Sequence, residues 1–318
     1  MWSPLVSICV PSYNGEKWIR EAIDSALAQT YKPLEIVIVD DASTDNTLEI
    51  IQSYRDPRIR IEVNKKNLGP TNNKNRCIKL AKGSLIKFLS QDDALYPSCV
   101  EKMAKLFKFY QQIGLVFAPR DVLLENPIDP TAIAWKKRYG KLHTRFQYLS
   151  EVNNGRELLK NWSAYDFKGN WIGEPSSVMV RKACLERIGM FNTRLRQCAD
   201  YELWIRMMYF YDIGFINETL SAYRVHSSSS SASNIRQGYS WLDRLWFLEG
   251  LLQHEDIRSS YPRIKGLRSL EFCIILIQQI DRIRRREPIQ IFHKFRTLAD
   301  YVNYYVRALI NCPPPLHE

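Results

Sequence analysis

Apolar positions in the first 120 residues switch repeatedly between two periods. Residues 5–10 (LVSICV) form a short apolar run that predicts a buried strand. In the stretch that follows, Ile19, Ala22, Ile23, Ala26 and Leu27 recur at helical spacing. Residues 34–39 (LEIVIV) are rich in β-branched side chains and predict a second strand. A helix is expected from about Asp45 to Tyr54, and an alternating strand over 58–63 (RIRIEV). Residues 71–82 predict a helix stopped by Gly83, and 85–89 (LIKFL) another strand. Pro97 suits the first turn of a helix running to about Tyr110, and 114–118 (GLVFA) closes the series as a strand. Strands separated by helices imply a mostly parallel, doubly wound sheet, an α/β fold whose ligands bind beyond the carboxyl ends of the strands.

The pattern loosens over 120–170, where one helix is expected near 155–162. It tightens again with a strand in 175–180 (PSSVMV), a helix near 182–188, a strong helix over 200–211 and a strand in 220–225 (LSAYRV). Residues 226–233 (HSSSSSAS) read as a low-complexity polar loop. Beyond about 235 the spacing is helical and amphipathic, and a basic cluster occupies 282–286. The expected organisation is a domain over 1–233, with halves over 1–118 and 119–233, followed by a C-terminal helical extension over 234–318.

Two strands in this pattern end in adjacent carboxylates, Asp40-Asp41 and Asp92-Asp93. A single pair is accounted for by aspartate starting a turn and capping the next helix. Two pairs on separate strands of one sheet point to a site. A nucleotide diphosphate needs acceptors for its base and ribose, and a counter-charge for its phosphates, often a divalent metal held by one or two carboxylates. Tyr13, in the elbow after the first strand, is a candidate for stacking on a base.

The 45 Lys and Arg against 34 Asp and Glu give a net charge of +11, which favours anionic partners without choosing among them. The positive residues are dispersed and no nucleic-acid motif is present, so no nucleic-acid partner is expected. No G-x-G-x-x-G follows the first strand, which argues against a dehydrogenase. Seven cysteines without a C-x-x-C pair predict neither disulfides nor zinc, and fit a reducing compartment. No signal peptide is evident, and the apolar run Phe272 to Ile277 is too short to span a bilayer. A cytoplasmic protein is expected, with peripheral contact to an anionic membrane through the 282–286 cluster as a minority reading.

The segments VSICVPSYNGEKWIREAIDSALAQTYKPLEIVIVDDASTDNT, NLGPTNNKNRCIKLAKGSLIKFLSQDDALYP, GEPSSVMVRKACLERIGMFN, ADYELWIRM and YRVHSSSSS occur in that order. Over roughly residues 4 to 230 the chain resembles a family 2 glycosyltransferase with the GT-A fold, a Rossmann-like, mostly parallel central sheet flanked by helices. The resemblance implies an inverting transfer from a nucleotide-sugar donor to a hydroxyl acceptor, a saccharide or lipid-linked saccharide, in polysaccharide or glycolipid assembly. A UDP- or dTDP-sugar is the preferred donor, with Mn²⁺ or Mg²⁺ as cofactor.

Position by position, the resemblance implies that Pro11 and Tyr13 flank the base. Asp41 accepts from the base ring, and Asp40 positions that turn. Lys74 stands where the family commonly has Arg, near base or phosphates. Asp92 and Asp93 contact ribose and metal. His226 ligates the metal or binds diphosphate, with Arg224 as a second positive contact. Asp200 matches the catalytic base, and an inverting displacement needs such a carboxylate to take the acceptor's proton. Its other use is to cap the helix it starts. Glu202 reads as a supporting group. Gly173, Pro175 and Ser176 would form the acceptor-side floor. Trp171 is a candidate for stacking on sugar, and Trp204 for core packing. Ser90 stands where the family commonly has an acid, and Ala199 where an acid often precedes the base. The first departure thins the metal shell and keeps a catalytically inactive sugar-nucleotide binder as the alternative reading.

Overall fold

A computed structural model describes residues 3–236 and 240–284, with side chains except those of 235, 236, 240–242 and 275–284. The chain divides into two compact units, 1–232 and 233–318.

The first unit begins with β1 (Val6–Ser12), α1 (Ile19–Leu27), β2 (Leu34–Asp40), α2 (Thr47–Gln52), β3 (Ile59–Val63), α3 (Pro70–Leu80) and β4 (Leu85–Phe88). It continues with β5 (Ala94–Leu95), α4 (Cys99–Phe109), β6 (Ile113–Phe117), β7 (Arg120–Leu124), α5 (Pro130–Tyr139), β8 (Val152–Asn153) and α6 (Gly155–Ser163). Then come β9 (Val178–Arg181), α7 (Lys182–Ile188), α8 (Ala199–Phe210), β10 (Asp212–Phe215), β11 (Ser221–Val225) and the start of α9 (Ser230–Arg236). Eight strands form one sheet in the order β3-β2-β1-β4-β9-β6-β10-β8, and three form a second in the order β5-β11-β7.

The main sheet is mostly parallel, as expected of a doubly wound α/β fold. The reason is visible in β1, β2 and β4, whose apolar side chains are buried on both faces. β1 pairs in parallel with both β2 and β4. β9 is inserted antiparallel between β4 and β6. It carries the expected 175–180 segment, of which Pro175–Ser177 turns as a 3₁₀ helix before the strand begins. Because β9 runs backwards, its entry turn reaches the edge where β1, β2, β4 and β6 end, and that edge holds the site.

The expected polar loop over 226–233 is interrupted. α9 starts at Ser230, where the Ser229 hydroxyl accepts the Ala232 N–H, so one serine of the run acts as the cap that starts a helix. The expected helix over 45–54 is shorter, Thr47–Gln52.

In the second unit, α10 (Ser240–Gln253), α11 (Glu255–Ser260) and α12 (Arg263–Arg284) follow. α10 packs on α12, and Arg268 bonds Glu249 at 2.7 Å between them. The basic cluster at 282–286 lies outside the residues whose side chains are described. Among the described residues, no helix is long and apolar enough to cross a membrane, and the cysteines are unpaired.

Candidate functional site

The carboxyl ends of β1 and β2 are laced into one rim. Asn14 and Ala42 hold positive φ (47° and 60°) immediately beyond them, a conformation that non-glycine residues adopt chiefly where the surroundings enforce it. The Asn14 N–H donates to Ser43 Oγ (3.0 Å), and the Thr44 N–H donates to Asn14 Oδ1 (2.8 Å). Asp40 is fully buried and accepts the Ser43 N–H (2.9 Å) and hydroxyl. Pro11 lies half-buried in β1, opposite Val39 of β2.

Asp41 is also buried, and its oxygens are engaged. Oδ1 accepts from Asn64 Nδ2 (2.6 Å) and the Leu68 N–H (2.9 Å), and Oδ2 from the Gly69 N–H (2.9 Å). Gly69 has φ 85°, a conformation that favours glycine, and Pro70 starts α3 directly after it. Asp41 therefore sets where α3 begins, and α3 carries Lys74. Asn64 Nδ2 is shared with Asn73 Oδ1 (3.0 Å), while Asn64 Oδ1 is buried without a partner beside this carboxylate.

Tyr13 is exposed, at 42%. Gln91 fixes its backbone: Oε1 accepts from the Tyr13 N–H (2.8 Å) and the Ser12 hydroxyl (2.8 Å), and Nε2 donates to the Tyr13 carbonyl (2.9 Å). Gln91 packs so tightly over Gly15 that a Cβ there would lie 2.3 Å from its Oε1.

Asp92 and Asp93 follow on the same turn and differ sharply. Asp93 is buried; Oδ2 accepts the Ser176 hydroxyl (2.6 Å) and Oδ1 the Arg224 N–H (2.9 Å). Burial, and then the neighbouring Asp92 charge, push its pKa well above the usual carboxylate range. Asp92 is turned outward, with its side chain 21% exposed. Its Oδ2 meets His226 Nε2 at 2.9 Å, and Oδ1 accepts no hydrogen bond among the described residues. Ser90 offers no third acid; its N–H donates to Ser176 Oγ.

The Arg224 guanidinium is spoken for. It donates to Glu21 Oε2 (2.6 Å) and the Asp92 carbonyl (3.0 Å), and lies 4.1 Å from the centre of the Trp18 ring. Arg224 thus ties β11 to the Asp92 turn and to α1. His226, two residues on, also bonds Ser228 (2.8 Å).

Asp200 lies in the first turn of α8, one residue inside the helix, where the dipole favours negative charge. Oδ1 accepts the Tyr201 N–H (2.8 Å) and Oδ2 accepts Asn170 Nδ2 (3.0 Å). Burial raises its pKa to about 6, against the opposing pull of Lys74. Burial lowers the Lys74 pKa, and the charges of Asp200, Asp92 and Asp93 act against that shift. Those couplings bring α3, the Asp92 turn and α8 to one crevice. Lys74 makes no hydrogen bond or ion pair among the described residues, and its ammonium lies 5.6 Å from the Phe191 ring centre.

Glu202 is buried in a two-pronged pair with Arg206 (2.8 and 2.9 Å), whose remaining donors take the carbonyls of Ile188, Gly189 and Met190. Trp204 is fully buried and donates to the Gly173 carbonyl (3.0 Å). Trp171 is 4% exposed and stacks on Trp162 at 5.7 Å, so most of its ring is already packed.

Sequence reasoning missed Gln91, Asn170, Glu174 and Lys87. Lys87 interrupts an apolar strand; its buried ammonium donates to the carbonyls of Phe88, Ser176 and Val178 and so pins the 175–177 turn to β4. That interruption was the available signal. Asn170 sits in an irregular loop with no sequence signal.

Among the described residues there is no cluster of three or more acidic, histidine or cysteine side chains able to hold a metal. The unshared Asp92 Oδ1 fits a divalent cation that takes one carboxylate oxygen and its remaining ligands from phosphate and water, whereas both His226 ring nitrogens are engaged, Nε2 by Asp92 and Nδ1 by Ser228.

The glycosyl transferase family 2 model matches residues 7–156. An uncharacterised glycosyltransferase of Rickettsia prowazekii is 31% identical over 263 residues, covering 81% of this chain and 76% of that protein. S. aureus TarS (residues 1–349) in complex with UDP-GlcNAc superposes with a TM-score of 0.60 at 18% identity, over 78% of this chain and 66% of that one. A Pyrobaculum calidifontis mannosyltransferase in complex with GDP-Man and Mn²⁺ gives 0.57 at 15% identity, over 97% and 88%. These likenesses place the main sheet in the GT-A fold.

Proposed function

The chain belongs to glycosyl transferase family 2, and on that premise we propose that it is an inverting enzyme. It moves a sugar from a nucleotide-sugar donor, UDP- or dTDP-linked, to a hydroxyl of a saccharide or lipid-linked saccharide. The observation that carries the reading is the buried Asp200 carboxylate, held by Asn170 and the Tyr201 N–H, in one crevice with the Lys74 ammonium, which makes no ion pair among the described residues. Asp200 takes the acceptor's proton as the hydroxyl attacks the anomeric carbon; a base poised near the working pH is best matched to that task. Asn170 and the Tyr201 N–H hold its carboxylate in one orientation. Lys74 offers a charge to the departing diphosphate. Tyr13, clamped by Gln91, presents an exposed ring to the base.

Asp92 would hold the divalent metal through its unshared Oδ1, and His226 Nε2 would join it on releasing Asp92 Oδ2. When bound, the cation neutralises charge on the diphosphate leaving group. Asp93, with both oxygens used by Ser176 and Arg224, supports Asp92 instead of ligating. Arg224 likewise acts by holding the turn. Asp41 acts on the base from its place at the start of α3, with the unpartnered Asn64 Oδ1 as a second acceptor beside it.

The test is release of free nucleotide from a panel of nucleotide sugars with Mn²⁺, comparing wild type with Asp200→Asn. Turnover of one donor that Asp200→Asn abolishes without loss of donor binding supports the reading. Binding of a donor with no turnover by wild type, under any acceptor tried, favours the inactive binder.

A further inference from the structure

A second cavity opens on the half over 119–233, about 730 Å³ in volume. It lies beyond the carboxyl ends of β6 and β10, at the start of β7 and the approach to β11. β6 runs parallel to β10 and, through the antiparallel β9, in the sense of β4. The cavity is therefore at the same edge of the sheet as Asp92.

Its lining is basic: Lys136, Lys137, Arg138, Lys141, His143 and Arg145 all contribute. The first three sit in the last turn of α5, where cations complement the helix dipole. Lys141, His143 and Arg145 follow α5, the last two in a 3₁₀ turn over Leu142–Arg145. The two carboxylates in the lining are already engaged, Asp121 by the Tyr96 hydroxyl and Glu218 by Lys102. Arg120, at the base, is held by Glu174. Among the described residues, Lys136, Lys137, Arg138, Lys141 and Arg145 make no ion pair. Burial, and then Arg120 and Lys141, lower the His143 pKa; burial lowers that of Arg145 too, with Arg138 adding to it. Positive charge therefore outweighs negative here: among the described residues of the lining, Asp121 is the one carboxylate not ion-paired elsewhere.

Arg145 also lines an adjoining cleft of about 610 Å³, together with Tyr165, Lys168 and Trp171. Trp171 is next in sequence to Asn170, which bonds Asp200. The basic cavity and the base thus lie along one route of residues.

We propose that this cavity holds a phosphate or diphosphate group carried by the acceptor. Compact multivalent anions suit several cations around a small concavity, and the planar forks of Arg138 and Arg145 match phosphate oxygens in pairs. That the anion is carried by the acceptor rests on the glycosyl-transfer reading; the anion site itself does not.

The experiment is calorimetric titration of inorganic pyrophosphate and, separately, of farnesyl diphosphate into the full chain. Wild type is compared with Lys137→Glu/Lys141→Glu and with Lys74→Ala, and UDP is titrated into each. Both lysines are exposed, so the double variant is expected to keep its fold. Should it unfold, Lys137→Gln/Lys141→Gln gives the same reading with a smaller loss. The expected result is a loss of probe affinity of roughly tenfold or more in the double variant, retention in Lys74→Ala, and the reverse for UDP. Equal binding of the two probes assigns the cavity to the phosphate group alone; tighter farnesyl diphosphate assigns it to a lipid-linked acceptor. Unchanged probe affinity in the lysine double variant overturns the proposal. Failure of UDP to bind wild type counts against the donor reading and leaves the cavity result standing.

Discussion

Two adjacent aspartates, identical in sequence terms, do different work. Asp93 faces inward, where its two hydrogen bonds join residues 83 and 131 positions away in the chain. Asp92 faces outward with an unshared oxygen. Asp93→Ala is therefore expected to destabilise the fold by about 2–3 kcal/mol, the cost of unpaired buried donors, in denaturant unfolding. Asp92→Asn should leave stability nearly unchanged and raise the Mn²⁺ concentration for half-maximal activity at least about tenfold. The sequence located the pair, because an apolar run ending in carboxylates is a local signal. It did not tell the two apart, since that depends on Ser176 and Arg224 arriving from distant strands.

Asp200 makes the sharpest prediction at this scale. Its pKa of about 6 predicts that kcat/KM rises with pH through about 6 and then levels off. Asp200→Asn should lower kcat by about 10²–10⁴. The stability effect has the opposite sign. The folded state holds this proton more tightly than the unfolded chain, so stability falls as pH rises from about 4 to about 6, and the penalty stays in full above that. Asp200→Asn removes it, and thermal unfolding at pH 7.5 should show the variant more stable by about 1–3 kcal/mol, an advantage that vanishes below about pH 4.

At the scale of elements, β1, β2, β4 and β6 were legible because strands buried on both faces read as continuous apolar runs. β5, β8 and β10 are two to four residues long, and β7 carries Arg120 and Asp121, so no apolar run marks them. The reversed direction of β9 leaves no local trace, yet it delivers Ser176 to Asp93. α8 was legible by its spacing, but not its anchor. The buried Glu202–Arg206 pair fastens α8 to the 188–190 turn and so fixes the height of Asp200 above the sheet. Glu202→Ala leaves the guanidinium buried and uncompensated, and chemical denaturation should show a loss of about 3–5 kcal/mol.

Over the whole molecule, the residues of the crevice also hold the fold: Asp41 starts α3, Arg224 binds β11 to α1, and Lys87 pins the 175–177 turn. Ligand binding should therefore register as stability. A donor nucleotide with Mn²⁺ at one hundred times its Kd should add about 2.7 kcal/mol and raise the melting temperature by several degrees in a thermal-shift assay. Nucleotide without metal should give less. The net charge of +11 was legible at once, but its concentration around the cavity between β6 and α5 was not. The cations come from an irregular stretch whose packing no periodicity encodes.

On the proposed reading, a donor's diphosphate and its cation sit where α3, the Asp92 turn and α8 meet. The most direct measurement is a crystal structure grown with UDP and Mn²⁺, with the metal located by its anomalous signal. The expected map shows a manganese peak within bonding distance of Asp92, the diphosphate within reach of Lys74, and the base against Tyr13. A metal held elsewhere, or a nucleotide bound away from Asp92 and Lys74, would contradict that reading.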